Sequence, residues 1–366
     1  MYYSIFNTPI SEVIAVGDEQ GLQMLHLKTN QTNSKFTLSK RWQLNNNYFT
    51  EVKQQVLQYL AGNRKHFTLK LNPQGTEFQK QVWQELLKIP YGQTISYKQL
   101  AINIGNAKAS RAVGAANGKN PLAIIIPCHR VIGSNGKLTG YAHGLTIKQK
   151  LLNTEKLNEV YDVLLQHYGP LNWWPAKNSY EVMVGAILTQ NTSWSNVEKA
   201  ISNFKQELTA QLIKQLSIND LAQTIKPSGY YNQKAKKLKA LTDWFEQYDF
   251  NILNTKHKTT LQLRTELLSI FGVGKETADC ILTYALKKPS FIIDTYTKRL
   301  LTRLGFKLPN EYNEIQNLFQ QSIAPDLYKY NEYHALIVKH ATEFCFKTPK
   351  CTNCPLLSLC QREHVS

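Results

Sequence analysis

No apolar run in this 366-residue chain is longer than the five residues Leu122 to Ile126, far short of the ~20 that a membrane-spanning helix needs. The opening stretch MYYSIFNTPI has neither the basic start nor the apolar core of a secretory signal, so a soluble, cytoplasmic chain without a membrane partner is expected. Neither a sequence repeat nor a low-complexity tract is visible. Acidic residues are few, 26 Asp plus Glu against 43 Lys plus Arg, for a formal charge of +17. Residues 1–157 hold 19 basic and 7 acidic side chains, and residues 158–366 hold 24 and 19. A surplus of this size marks a polyanion partner, most often nucleic acid, although charge alone is also compatible with a merely basic soluble protein. Cysteine is scarce as well. Only Cys128 and Cys280 precede a group of four, Cys345, Cys351, Cys354 and Cys360, within the last 22 residues. In a reducing compartment such crowding predicts a metal site rather than disulfides.

At ~150 residues per domain the length predicts two or three domains, and 42% hydrophobic content predicts packed cores. Residues 1–72 read as a small α+β unit. Alternating segments lie at Glu12–Val16, Leu22–Leu27 and Phe67–Leu71, with a helix over Phe49–Leu60. A second unit, 73–156, opens with the helical TEFQKQVWQELLKI, which stops at Pro90-Tyr91-Gly92. Two short helices follow, Ser96–Ile104 and Ala109–Asn117, then a β-like run Leu122–Ile126 and Pro127-Cys128-His129-Arg130. From residue 157 onward nearly everything fits short amphipathic helices. The expected fold is therefore multidomain: a small α+β domain, a helix-turn-helix domain and an all-α domain, with a boundary near 156 and almost no linker.

A cysteine after an apolar run is as compatible with an inert core thiol as with a nucleophile. Base or positive charge beside it favours the thiolate, and here His129 and Arg130 follow directly, with Glu155 downstream as a possible orienter of the imidazole. The helices at 96–117 have helix-turn-helix spacing about Gly105-Asn106. The second carries Ala112, Val113, Ala115 and Ala116, small enough to approach a groove wall closely. The stretches FQKQVWQELLKIPYGQTISYKQLA, RAVGAANGKNPLAIIIPCHRVIGSNGKLTGYAHGL and KLLNTE resemble the O6-alkylguanine-DNA alkyltransferases. The resemblance implies that Cys128 accepts the alkyl group, that His129 draws its proton through a water, and that Glu155 holds His129. It further implies that Asn120 supports the loop beside the cysteine, Tyr97 helps rotate the nucleotide, Arg111 fills the vacated space and Tyr141 lines the pocket. Such a base must leave the duplex to be reached, by a helix-turn-helix in the minor groove. The product thioether is stable, so each molecule reacts once. His143 stands where the family usually has Gly, which bears on tolerance of bulky alkyl groups. No zinc is implied for this half.

In the second half, LLSIFGVGKETADCILTYAL reads as two helices joined by Gly272-Val273-Gly274, a turn whose amides suit a phosphate oxygen. Asp294 precedes the helix TYTKRLLTRLG; by itself it is as compatible with a plain N-cap. The spacing Cys345-x5-Cys351-x2-Cys354-x5-Cys360 suits zinc or an iron–sulfur cluster. Together these features resemble the endonuclease III superfamily of DNA glycosylases, and YGPLNWWPAKNSYEVMVGAILTQNTSWSNVEKAI resembles its branch related to 3-methyladenine glycosylases. The resemblance implies a structural [4Fe-4S] cluster on the four cysteines rather than zinc, although the usual first spacing is one residue longer. It implies Asp294 as the catalytic carboxylate, Gly272, Gly274 and Lys275 on DNA, and Gln190 inserted where the base has left. Where bifunctional members carry a nucleophilic Lys, this chain has Glu276; Lys275 is one helical step, about 100°, away. Without an amine no Schiff base forms, so strand cleavage should be lost. Trp174 and Trp194 can stack on a methylated, positively charged purine or pack in the core, and Cys280 reads as core. The leading expectation is direct reversal plus excision of an alkylated base from double-stranded DNA, with no obligate protein partner. A mismatch or oxidised-base glycosylase, or a catalytically silent DNA-binding module, are the alternatives for the second half.

Overall fold

The computed structural model describes residues 1–29, 37–174 and 176–362. They divide into two compact units: Met1–Asp162 with Leu318–Ala324, and Val163–Asn317 with Pro325 onward.

The first unit opens on strands β1 (Tyr2–Asn7), β2 (Glu12–Asp18), β3 (Gly21–Lys28) and β4 (Gln43–Leu44). Their order is β3-β2-β1-β4, antiparallel except where β4 runs beside β1. Helix α1 (Thr50–Leu60) buries Val52, Val56, Tyr59 and Leu60, the i, i+4, i+7 stripe of an amphipathic helix. Helix α2 (Glu77–Leu86) starts in a reciprocal capping box between Thr76 and Gln79, which satisfies two otherwise orphaned amides. Strand β5 (Ile95–Ser96), α3 (Tyr97–Asn103) and α4 (Ser110–Gly118) follow. The turn between the two helices passes through Gly105 at φ +81°, a conformation that glycine adopts without penalty. Strand β6 (Val131–Ile132) pairs in parallel with β5, and α5 (Leu145–Tyr168) runs through the expected boundary at 156.

Three expectations need correction. Strand β1 has no counterpart among the segments predicted. Of Phe67–Leu71, only Leu71 bridges to the sheet, at Leu22. Leu122–Ile126 is not a strand. Leu122 makes one bridge to Leu25, Ile124 sits at φ +70°, and Ile125 and Ile126 donate to Ala123 O (2.8 Å) and Leu122 O (2.9 Å) within the same segment. All five side chains are buried. A short, wholly buried run has no periodicity with which to tell a strand from a coil. Its backbone is satisfied instead by Asn120, whose Oδ1 accepts from Leu122 N (3.0 Å) and whose Nδ2 donates to Ile126 O (2.9 Å).

In the second unit no strand occurs among the described residues. After α5 come α6 (Ser179–Leu188), α7 (Trp194–Ser202), α8 (Ala210–Gln215), α9 (Ile218–Thr224), α10 (Tyr231–Glu246), α11 (Thr260–Ser269), α12 (Lys275–Cys280), α13 (Thr295–Arg303), α14 (Tyr312–Ser322) and α15 (Leu327–Glu343). Helix α6 is buried on almost every side, as the stretch Val182–Leu188, apolar but for Gly185, requires. Beyond Cys280 the backbone widens into π-helix over Ile281–Ala285, a rare device that re-aims side chains and often marks functional sites. No described helix is long and apolar enough to cross a membrane.

Candidate active sites

In the first unit a 3-10 turn, Cys128–Arg130, buries all three side chains. Asn120 Nδ2 donates to Cys128 Sγ at 3.0 Å, so the amide that holds the preceding coil also binds the thiol. Burial pushes the Cys128 thiol up; the Asn120 bond and the Lys148 charge pull the other way. His129 Nε2 lies 2.6 Å from Glu155 Oε1, and both side chains are fully buried. With Nε2–H donating to the carboxylate, Nδ1 is the basic nitrogen; it is buried and has no hydrogen-bond partner. Burial raises the Glu155 pKa, but His129 and Arg130 outweigh it and hold the carboxyl at about 2. Arg130 Nε reaches both Glu155 oxygens, at 3.1 and 3.0 Å, and Gly92 N donates to Oε2 at 2.9 Å. Burial lowers the His129 pKa against the opposing pull of Glu155.

Around this centre, Tyr97 is half-buried, its hydroxyl donating to Thr139 O and Gly140 O at 3.3 Å each. Lys148, fully buried, donates to Val131 O (2.5 Å) and Thr139 O (2.8 Å), and burial brings its pKa down to about 8. Tyr141 Oη is buried without a partner, and the Cys128 charge is among the groups that raise its pKa. His143 Nδ1 meets Leu27 O (3.0 Å), and its ring packs edge-on against His26 (5.0 Å) on β3 and against Tyr141 (5.5 Å). Arg111, Ala112 and Ala115 are exposed on α4, whereas Val113 and Ala116 face the core; only part of the small-residue set can meet a groove wall.

In the second unit α11 and α12 meet at Ile270–Gly274. Gly272 is at φ +82°, and a Cβ there would lie 2.3 Å from Lys237 Cγ. A Cβ on Gly274 would meet nothing within 4 Å, which leaves that amide open. Gln190 is tied to this turn: Nε2 donates to Gly272 O and Thr277 Oγ1, both at 3.0 Å, and Lys237 Nζ donates to Oε1 at 2.6 Å. Lys275 Nζ lies 3.7 Å from Glu311.

Asp294 caps α13, its Oδ1 accepting from Thr297 N at 2.7 Å. It is nonetheless more than a cap. Burial pushes its carboxyl up, but His334, 3.4 Å away, and the Thr297 amide hold it below its usual value. His334 Nδ1 in turn meets Tyr284 Oη at 2.8 Å, and Tyr284, presented by the π-helical turn, packs against Trp174 at 4.9 Å. Trp194 stands edge-on to Trp174 at 5.2 Å and donates to Glu198 (2.9 Å), while Trp174 Nε1 is buried without a partner. The loop bearing Trp174 is held by buried Glu332, which accepts from Leu171 N and Asn172 N at 2.7 Å each. Glu276 shares this space: burial and then the Asp294 charge push its carboxyl up. Cys280 lies in the hydrophobic core, and burial first, then Glu276, Asp294 and Asp279, push its thiol up.

The four C-terminal cysteines are all free thiols. Arg303 Nη1 donates to Cys345 Sγ (3.1 Å), Cys360 Sγ donates to Arg303 O (3.2 Å) and Cys354 Sγ lies 3.6 Å from His340 Nε2. Among the described residues no three His, Cys, Asp or Glu side chains are grouped to hold a single metal ion.

Residues 1–73 match the model of the 6-O-methylguanine DNA methyltransferase ribonuclease-like domain, and residues 77–157 that of the DNA binding domain of the same proteins. Residues 184–325 match the HhH-GPD superfamily of base excision DNA repair proteins. A methylated-DNA–protein-cysteine methyltransferase of Methanosarcina acetivorans is 53% identical over 155 residues, 42% of this chain and 98% of that protein. A Methanocaldococcus jannaschii protein named as a DNA repair glycosylase is 50% identical over 214 residues, 56% of this chain and 96% of that protein. The chain belongs to both families. It carries a methylated-DNA–protein-cysteine methyltransferase and, after it, an HhH-GPD glycosylase domain, and DNA is its partner. The fold of the glycosylase part is also that of a trapped endonuclease III–DNA intermediate, with TM-score 0.50, 21% identity, and coverage of 57% of this chain and 96% of that one.

Several side chains of these sites carry no signal in the sequence. Tyr59, Lys148, His334 and Glu332 belong to no motif, and Tyr284, although within the stretch 267–286, carries no mark of its role. The fold alone brings them to the reacting groups.

Proposed function

We propose that the chain repairs alkylated DNA by two separate reactions. The observation that carries the first is the buried, unpartnered Nδ1 of His129, the residue that follows in the chain a thiol already held by Asn120. Cys128 Sγ attacks the alkyl carbon on guanine O6 as its proton passes to His129 Nδ1. The C–S bond forms and the C–O bond breaks; its electron pair stays with the guanine, which takes up a proton. Glu155, ionised and ringed by donors, steadies the imidazolium. Tyr97 and Arg111 serve the flipped nucleotide, and Tyr141 lines its pocket. Residues 1–72 and 73–156 are assigned to this reaction, and residues 157–366 to the second.

In the second reaction Asp294 stabilises the positive sugar and orients a water as the N-glycosidic bond breaks, its electron pair leaving with the base. Trp174 and Trp194 present indole faces that favour a cationic, alkylated purine such as 3-methyladenine. Gln190 fills the gap left by the base, and Gly272, Gly274 and Lys275 meet the phosphates. The glycosylase is monofunctional, because Glu276 offers no amine and Lys275, one helical step of about 100° away, projects elsewhere. Borohydride added during base release should therefore trap no covalent protein–DNA species on a denaturing gel; a trapped band mapping to Lys275 would refute this.

Cys345, Cys351, Cys354 and Cys360 would hold a [4Fe-4S] cluster. The four thiols are free to ligate, and the donors to Cys345 Sγ from Arg303 and to Cys360 Sγ from Arg362 N, at 3.4 Å, would stabilise their thiolates in a cluster. When bound, such a cluster would supply a structural clasp for the C-terminal loop. Aerobically purified protein should be brown and contain iron, and Cys351→Ser should lose the colour. A colourless protein containing zinc would overturn the assignment.

A further inference from the structure

Tyr59 lies on α1, in the part of the chain that matches the ribonuclease-like domain rather than the segment carrying Cys128. It is fully buried. Its hydroxyl donates to Glu155 Oε1, the same oxygen that meets His129 Nε2, and lies 3.3 Å from that nitrogen and 3.5 Å from Arg130 Nη2. We propose that Tyr59 is a positioning residue of the alkyl-acceptor site, which by sharing Glu155 Oε1 with His129 sets how strongly the imidazole takes up a proton. The proposal rests on the assignment of Cys128, His129 and Glu155 given above.

The physical reason is competition for one oxygen. A buried carboxylate has no water to spread its charge, so each donor drains charge from the others. Arg130 grips both oxygens and Gly92 N takes Oε2, but Tyr59 alone joins His129 on Oε1 without itself being a cation. Charged and titratable groups that act on the imidazole are Glu155 and Lys148 from α5, Arg130 from its own turn and Tyr59 from α1, while Tyr91 and Tyr141 face the same Glu155. Tyr59 is the member whose hydroxyl can be removed with almost no change of shape. Its ring packs against Phe67 at 5.1 Å and Tyr91 at 5.6 Å, and phenylalanine keeps both contacts.

The sign follows. Without the hydroxyl, Oε1 carries more charge and favours the imidazolium. His129 then stays protonated to higher pH, and its Nδ1 is occupied when Cys128 must give up a proton. The rate of methyl transfer from an O6-methylguanine duplex to the full-length chain should be measured across the range in which imidazole titrates. In Tyr59→Phe the acidic limb should move up by roughly one pH unit, the lower end of what a hydrogen bond to a charged group contributes. A limb that stays in place, whether or not the rate falls uniformly, would overturn the proposal by leaving Tyr59 a packing residue. 3-Fluorotyrosine at position 59 is a stronger donor of the same shape and should move the limb down. It serves equally if the Phe variant does not fold, and an unmoved or raised limb would again count against the proposal. Methyl on Cys128 of the unmodified chain separates these outcomes from failure of the acceptor assignment, since its absence would remove the foundation of both.

Discussion

Replacing Cys128 by Ala should abolish methyl transfer from O6-methylguanine duplex while base release by the same protein continues at its normal rate. The sulfur is the atom to which the carbon becomes bonded, so no neighbour can substitute for it. His129 is a base whose nearest acid partner is Glu155, and Lys148 donates its protons to backbone carbonyls. The variant should remain folded. Asn120 loses one acceptor but keeps Ile126 O at 2.9 Å, and a buried Cys-to-Ala change removes only one heavy atom, at a cost on the order of 1 kcal/mol. Residual transfer in Cys128→Ala would place the acceptor elsewhere. Loss of both activities together would indicate one coupled site.

The second large effect is expected at Asp294. Asparagine has almost the same shape and is an equally good N-cap, so its side-chain oxygen can still accept from Thr297 N and α13 can start as before. What disappears is the charge that faces the developing sugar cation. Base release from methylated DNA should fall on the order of a hundred- to a thousandfold, with methyl transfer onto Cys128 unchanged. If Asp294→Asn kept full excision activity, the residue would be reduced to its capping role and Glu276, which shares the same space, would become the carboxylate to test.

What was legible in the sequence was local. The helix-turn-helix announced itself through Gly105-Asn106 because a glycine at φ +81° is written into the turn, and α11 and α12 were legible through Gly272 for the same reason. Cys128, His129 and Arg130 are adjacent, and the four late cysteines are spaced as a set, so both could be read in one dimension. The misreading of Leu122–Ile126 had a physical cause. Five buried apolar residues satisfy a strand and a coil equally, and the deciding hydrogen bonds come from the side chain of Asn120. Residues that act across the fold were not legible. Tyr59 reaches Glu155 from 96 positions away and Tyr284 meets His334 from 50, and no spacing rule links them. Cys280 reads as core because its helix is apolar, and it is buried in the hydrophobic core of the second unit. His143 also changes meaning in three dimensions. Its ring is held by Leu27 O, His26 and Tyr141 together.

The account depends most on the thiol at position 128 becoming the resting place of the alkyl group. Incubating the full-length protein with duplex containing O6-[3H-methyl]guanine, digesting it and mapping the label tests this directly. One methyl per molecule on the peptide bearing Cys128, with unmodified guanine restored in the DNA, is the predicted result. Label on another residue, or intact O6-methylguanine and an unlabelled sulfur, would contradict it.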